Sequence, residues 1–212
     1  MRALLTILVL ICPASAEIVD RIVATVGNIV ITESELVEHL RIAAFLNQEE
    51  VRQTPEERKK ALERLVEQAL IRHEIEISRY SAPDAASIEK ILENVKARFK
   101  SEEAYLEALA KSQINDEQLR QAISWQITLL RFIEYRFRPG IQVSDEDIQS
   151  YYDKRFLPEW SKSKKEPPPP LPEVRDRIAR ILTAQREDEA LDQWLEQARK
   201  QTRIRIHEEA LP

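Results

Sequence analysis

The chain has 212 residues, of which 33% are charged and 43% hydrophobic, and its formal net charge is −5. This length is enough to bury one core, and the mild acidity weakly disfavours nucleic acid as a partner. Only two glycines are present, Gly27 and Gly140, although barrels, sandwiches and phosphate-binding loops depend on glycine turns. The composition therefore favours a helical chain, and without a phosphate-binding loop we expect no ATP-driven activity.

The N-terminus has the pattern of a secretory signal peptide. Arg2 precedes an apolar run, residues 3–12, that is shorter than the roughly 20 residues needed to span a bilayer. Ala14-Ser15-Ala16 forms a cleavage site of the A-x-A type. We predict that residues 1–16 are removed after Ala16 and that the mature protein is periplasmic, with no stable membrane insertion. An uncleaved anchor is the alternative. Cleavage would also remove Cys12, the only cysteine.

The two ends of the mature chain carry strand patterns. Residues 18–26 and 29–32 are β-branched runs around Gly27-Asn28, which predicts a hairpin. A lone hairpin is marginal in water, so it requires another partner. Residues 203–207 (RIRIH) alternate isoleucine with arginine and predict a strand. We therefore expect both ends to meet in one small sheet.

Between these strands the sequence predicts helices with marked starts. Capping patterns begin at Thr32, Thr54, Asn115 and Ser144, and Asp84 is a further candidate cap. The helix after Thr54 has an apolar stripe of Leu62, Leu65, Val66, Ala69, Leu70, His73 and Ile77. The next has a stripe of Ile88, Ile91, Leu92, Val95 and Phe99, and a short helix follows at 105–109.

The second half of the chain predicts three more helices. Residues 117–137 are apolar nearly all round, which is typical of a central, buried helix or of one that partly lines a groove. A short helix follows at 144–156, and a long one runs from 172 to 200. The predicted fold is mainly α: a helical bundle with a small sheet formed by the N-terminal hairpin and the C-terminal strand.

No catalytic or metal-binding pattern is present in the sequence. The three histidines, His39, His73 and His207, lack a second ligand at helical spacing, and no H-E-x-x-H or G-x-S-x-G occurs. The carboxylates stand beside lysines and arginines as on solvated helix faces. We therefore predict no cofactor, no metal and no catalytic residue, and we expect binding through an apolar surface.

Two stretches resemble the SurA family of periplasmic chaperones. The first, EIVDRIVATVGNIVITESELVEHL, is similar to the hairpin and first helix of the family at Asp20, Ile22, Ala24, Val26, Ile31, Ser34 and Leu36. The second, at 171–206, is similar to its closing helix and strand at Arg175, Asp176, Arg177, Trp194, Leu195 and Arg199. Val143 to Glu146, Ile148 and Tyr151-Tyr152 resemble the lead into its next domain.

The parvulin isomerase domain of that family has no counterpart here. In the family, one or two such domains stand between the short helix and the closing helix. This chain has only residues 157–171 there, with the run SKSKKEPPPPLP, and so short a segment cannot fold independently. We expect a semi-extended proline-rich connector, which divides the chain into residues 1–16, 17–156, 157–171 and 172–212.

The resemblance implies an ATP-independent chaperone that binds unfolded outer-membrane or other exported proteins through an apolar groove. The candidate groove residues are aromatic, with Trp160 expected to be the most exposed, although large aromatics on such helices usually pack inward: Phe45, Trp125, Phe132, Tyr135 and Trp160. Two alternatives stay open: a peptidyl-prolyl isomerase of the parvulin class, and a non-catalytic adaptor or structural protein that holds one folded partner.

Overall fold

The computed structural model describes residues 20–78, 80, 85–163 and 166–207. The predicted signal peptide with its cleavage site at Ala16, and the candidate cap Asp84, lie outside the described residues. Within the described ranges the chain is mainly helical with one small sheet, as the sequence predicts. In chain order the elements are β1 (Ile22–Val26), β2 (Ile29–Thr32), α1 (Glu33–Asn47), α2 (Pro55–Ser78), α3 (Ala85–Lys96), α4 (Glu102–Lys111), α5 (Asp116–Phe137), a 3₁₀ turn (Arg138–Gly140), α6 (Asp145–Tyr151), a π turn (Tyr152–Phe156), α7 (Leu157–Ser163), α8 (Leu171–Gln201) and β3 (Ile204–Ile206).

The sheet joins the two ends of the described chain. Its strand order is β2-β1-β3, and both pairings are antiparallel. Gly27 turns the hairpin with a φ of 58°, a left-handed conformation that glycine adopts without a steric penalty. Its N–H also donates to the carbonyl of Arg203 at 3.0 Å, so the hairpin turn is bonded to the C-terminal segment. The prediction that both ends share one sheet is confirmed.

The helix starts follow the capping patterns of the sequence. Thr32 Oγ1 accepts the N–H of Glu35 at 3.3 Å, and the Glu35 carboxylate accepts the N–H of Thr32 at 2.9 Å. Asn115 forms the same reciprocal box with the residue three positions later, and so does Ser144. Asp20 adds a further contact, since its Oδ1 accepts the N–H of Ser34 at 3.2 Å at the start of α1. These bonds satisfy amide groups that helix ends otherwise leave unpaired.

Apolar side chains form three clusters. The sheet core joins β1, β2, α1, α2, α5 and α8 and includes Val23, Leu36, Leu62, Val66, Phe132 and Leu195. The helical core joins α1, α3, α4 and α5 and includes Phe45, Leu92, Tyr105, Leu119 and Ile123. The small core joins α6 and α8 through Ile148, Val174 and Ile178.

Helix α8 connects the small core to the sheet core. Its length of about 46 Å follows from 1.5 Å per residue over its 31 residues. Ion pairs hold it to other helices: Arg199 pairs with Glu67 of α2 at 2.9 Å, Arg186 with Asp147 of α6 at 2.9 Å, and Arg175 with Asp145 of α6. These three arginines of α8 thus pair with acids within the fold.

Some stripe positions are exposed although the periodicity predicts burial. On α2, Ile77 is 64% exposed and His73 is exposed, whereas Ile71 is buried. This helix contacts α5 and α8 as well as the sheet, so it is buried on more than one face. Ile91 and Leu130 also face outward, at 40% and 61% exposure.

The expected connector over 157–171 is shorter than the sequence suggested. Residues 157–163 form α7, and among the described residues that follow, Glu166 is a bend and 167–170 are non-helical before α8 begins at Leu171. Pro158 has no N–H and interrupts the regular helical hydrogen bonds, and a π turn lies directly before it, where the N–H of Leu157 donates to the carbonyl of Tyr152. The helix therefore passes Pro158, and the described chain is extended where the prolines follow one another.

Candidate functional site

The candidate site is a cleft between α1, α2 and α5, and we call it the His39 cleft. It consists of two cavities of about 280 and 370 Å³. Both lie where the sheet core and the helical core meet, because α1 and α5 contribute to each core. The residues that line both cavities come from all three helices: His39, Ile42, Gln68, Ala122 and Trp125.

One end of the cleft is formed by an edge strand. Ile29, Val30 and Ile31 of β2 line the 280 Å³ cavity. This strand pairs with β1 on one side only, and its outer edge has no strand partner among the residues that the structure describes. Unpaired backbone groups at a sheet edge can pair with an added strand. The cleft therefore offers both apolar side chains and strand-pairing groups.

Trp125 is held in the cleft by two side chains of α2. Its indole N–H donates to Oε1 of Gln68 at 2.9 Å, and the guanidinium carbon of Arg72 lies 4.6 Å from its ring centroid. The ring is half-buried, so part of its surface faces the cavities. Two contacts from one helix fix the ring before any ligand arrives, which lowers the entropy that binding must remove.

His39 lies at the centre of the cleft with an unused hydrogen-bonding atom. Its Nε2 is buried and has no hydrogen-bond partner among the described residues. Burial lowers the pKa of His39 from its ordinary value of 6.5, and the positive charge of Arg64 lowers it further. The imidazole is therefore neutral near pH 7. A buried polar atom without a partner is destabilising, and a ligand that bonds to it would remove that cost.

The rim of the cleft carries both signs of charge. Glu35, Glu38, Arg64 and Arg72 stand around the two cavities, and the side-chain amide of Gln118 donates to Glu38 at 2.7 Å. Such a rim does not select a strongly charged ligand. In the part of the chain that the structure describes, no group of three or more histidine, cysteine or acidic residues is arranged to hold a metal ion. The described helices include none that is long and apolar enough to cross a membrane.

Two of the five candidate aromatics belong to the core. Phe45 is 7% exposed and stacks on Phe99 with ring centroids 5.7 Å apart. Phe132 is 2% exposed and packs edge-on against Tyr80 at 5.4 Å. Both rings pack inward, as large aromatics on amphipathic helices usually do, although Phe45 also lines a cavity of about 550 Å³ beside Phe99 and Ala108. Both side chains are buried, as expected for large aromatics on such helices, and neither lines the His39 cleft.

The other three candidates lie in different parts of the fold. Trp125 alone lines the His39 cleft. Tyr135, near the end of α5, is 62% exposed beside Tyr80. Trp160 is half-buried on α7 and donates its indole N–H to the carbonyl of Glu166 at 2.9 Å, so it is not the most exposed of the five.

Sequence reasoning missed the polar residues of the cleft. His39 and Gln68 interrupt the apolar stripes of α1 and α2, which is the one signal that could have pointed to them. Their convergence on Trp125 depends on how three helices cross, and the periodicity of a single helix does not contain that information.

No protein-family model matches this chain, and no curated protein matches it. A family assignment and a function are therefore argued from the residues of the chain itself.

Proposed function

We propose that this chain is an ATP-independent chaperone of the SurA type, reduced to the chaperone core. It acts after export to the periplasm, and its clients are unfolded outer-membrane or other exported proteins. The observation that carries the proposal is the His39 cleft: a solvent-open site with a mixed apolar and polar lining, a fixed tryptophan, a strand edge and an unpartnered buried imidazole nitrogen. An extended polypeptide supplies what each feature lacks, namely apolar side chains, a strand and backbone hydrogen-bonding groups.

The size of the cleft favours weak, reversible binding. One aromatic client side chain buries 150–250 Å², which at about 25 cal/mol per Å² is worth roughly 4–6 kcal/mol. Ordering each client residue costs about 1–2 kcal/mol of backbone entropy, and several residues must be ordered. The net affinity is therefore modest. This balance suits a chaperone that must release its client without nucleotide hydrolysis.

The proposal is tested by filling the cleft. Ala122 lines both cavities, so Ala122→Trp should occupy them. Gln121→Trp should fill the 280 Å³ cavity from an exposed position at the rim. Ala110→Trp, at an exposed position of α4, adds the same side chain elsewhere. Light scattering then follows an unfolded outer-membrane β-barrel diluted from urea, with thermal melts as a check that each variant is folded.

We expect the wild-type chain and Ala110→Trp to suppress aggregation equally, and both cleft variants to lose most of this activity. If folded cleft variants suppressed aggregation as well as the wild-type chain, the His39 cleft would not be the client-binding site. Dependence on a single folded partner, with no suppression for unrelated unfolded clients, would favour an adaptor instead. Acceleration of proline isomerisation in a short peptide at a parvulin-like rate would favour the isomerase alternative.

A further inference from the structure

Three aromatic rings form a ladder along the segment from the π turn to α7, and we call it the aromatic ladder. Its members are Tyr152, Phe156 and Trp160. The Tyr152 and Phe156 centroids are 5.5 Å apart with ring planes 16° from parallel. The Phe156 and Trp160 centroids are 5.6 Å apart at 32°. Evenly spaced rings of this kind make one continuous aromatic surface.

The π turn helps to bring the rings into line. In an α-helix, side chains four and eight residues apart differ in direction by about 40° and 80°, so three such rings would spiral away from each other. A π turn has one more residue in each hydrogen-bonded ring and turns less per residue, so it reverses part of this rotation. The turn covers Tyr152–Phe156, so it lies between the first two rings of the aromatic ladder.

The two ends of the ladder donate hydrogen bonds to the proline-rich strip, Glu166–Pro170. Tyr152 Oη donates to the carbonyl of Pro169 at 2.9 Å, and Trp160 Nε1 donates to the carbonyl of Glu166 at 2.9 Å. These carbonyls are three residues apart, which is the repeat of a polyproline II helix. Pro170, with φ of −64° and ψ of 152°, has the backbone conformation of that helix. The aromatic ladder thus holds a proline-rich segment by two hydrogen bonds at this spacing.

The strip leaves part of the ladder uncovered. Phe156 and Trp160 also line a cavity of about 330 Å³ with apolar and charged neighbours, namely Tyr151, Glu159, Arg177, Ile178 and Ile181. No described residue of the strip lines this cavity. Pro167 and Pro168 are exposed, and only Pro169 is half-buried, so the contact of the strip with the ladder is narrow. The aromatic site is larger than the segment that occupies it.

We propose that the aromatic ladder is a polyproline-binding site, which the chain's own strip occupies and which a proline-rich segment of a partner protein occupies by displacing it. Aromatic surfaces with hydrogen-bond donors recognise polyproline II segments, because these are stiff and lose little entropy on binding. A tethered strip has an effective concentration in the millimolar range, so it competes strongly with any free segment. The strip therefore inhibits binding of other proline-rich segments until one of them displaces it. This inference does not depend on the chaperone proposal, since the ladder and the His39 cleft share no residue.

The experiment weakens binding of the chain's own proline-rich strip to the aromatic ladder and adds a free polyproline peptide as the ligand. The opened variant carries Pro167→Ser, Pro168→Gly and Pro169→Ser and keeps Pro170, which precedes α8. The probe is a blocked octaproline peptide, titrated by calorimetry, with an alanine-rich peptide of equal length as its control. We expect the opened variant to bind octaproline about tenfold more tightly than wild type, and neither protein to bind the control peptide at comparable concentrations.

Removing the donors tests the geometry. In the opened variant, Tyr152→Phe and Trp160→Phe keep aromatic rings but delete the O–H and N–H groups, and we expect each to weaken octaproline binding several-fold. Tyr135→Phe, at an exposed position far along the chain from the ladder, is the matched control. Equal affinity of the opened variant and wild type, or insensitivity to both donor deletions, would overturn the proposal.

A second readout uses the unaltered chain, in case the opened variant does not fold. Millimolar octaproline should shift the indole N–H resonance of Trp160 and leave that of Trp125 unchanged. Shifts at both tryptophans, or at neither, would contradict the site. Ala122→Trp should bind octaproline as wild type does. The polyproline-binding proposal and the chaperone proposal can therefore fail independently of each other.

Discussion

Val26 lies directly opposite Ile204 in the sheet, so residues from the two ends of the described chain are neighbours. Gly27 extends this pairing, because its N–H donates to the carbonyl of Arg203. The hairpin and the last strand therefore stabilise each other. All helices of the described chain lie in sequence between these paired strands. Strand β2, at one end of the cleft, is thus part of a three-stranded sheet that neither terminus could form alone.

A disulfide between positions 26 and 204 tests this closure. In a chain that begins after Ala16, Val26→Cys with Ile204→Cys should oxidise readily, because these residues form a non-hydrogen-bonded antiparallel pair, in which the Cβ atoms lie closest. The oxidised protein should be more stable than the same protein reduced, by up to about 5 kcal/mol for so long a loop. Urea unfolding of the two redox forms measures the difference. Failure to form the bond in the folded protein would contradict the register.

Replacing Gly27 tests the left-handed turn. A Cβ built on Gly27 would lie 3.7 Å from Thr202 Cγ2, which is an ordinary contact, so the cost of Gly27→Ala comes from its φ of 58°. We expect a loss of about 1 kcal/mol in the free energy of unfolding. Gly140 is the matched control, because a Cβ there meets nothing within 4 Å and its φ is not in the left-handed region. Gly140→Ala should be neutral within about 0.5 kcal/mol.

The ion pair between Arg58 and Glu33 should contribute more to stability than a surface pair. Arg58 Nη2 lies 2.9 Å from Glu33 Oε1, and the Arg58 side chain is only 6% exposed. Glu33→Gln should cost about 1–2 kcal/mol, because the arginine keeps its buried charge but loses a carboxylate. Glu196→Gln removes a partner from an exposed pair with Lys200 and should cost less than about 0.5 kcal/mol. Equal losses in urea unfolding would contradict this account.

His39 makes the stability of the fold depend on pH. Its pKa is lower in the folded state than the ordinary 6.5, so the unfolded chain binds more protons between the two values. Stability is therefore complete above about pH 6.5 and is lost as the pH falls through the folded pKa. For one group the slope cannot exceed about 1.4 kcal/mol per pH unit.

Urea unfolding at pH 7.5 and 5.5 measures this effect. The wild-type chain should lose more stability between the two values than His39→Gln does. His73→Gln, at an exposed position of α2, should follow the wild-type curve. A pH dependence unchanged in His39→Gln would show that the imidazole is not desolvated in the cleft.

The parts of the fold that the sequence predicts depend on neighbours close along the chain. The hairpin needs Gly27 and two β-branched runs, and the cap at Thr32 needs a glutamate three residues later. The meeting of the two ends was also predictable, because a lone hairpin requires a further partner and 203–207 alternates like a strand.

The parts that the sequence does not predict depend on several elements at once. Phe45 and Phe132 are buried because three or more helices cover them, and His39 reaches the cleft because α1 crosses α2 and α5. The aromatic spacing of Tyr152, Phe156 and Trp160 is visible in the sequence. Its meaning depends on the π turn and on the return of the strip, which local patterns do not encode.

The central claim, that unfolded clients bind in the His39 cleft, is tested most directly by site-specific photo-cross-linking. A photoreactive phenylalanine analogue is placed at Gln121 or Gln126, which are exposed at the cleft, and at Ala110 on α4 as the control. An unfolded outer-membrane β-barrel is then added, and the cross-linked residues are mapped by mass spectrometry. We expect strong cross-links from the two cleft positions and few from position 110. Equal yields from all three positions, or cross-links from position 110 alone, would contradict the central claim.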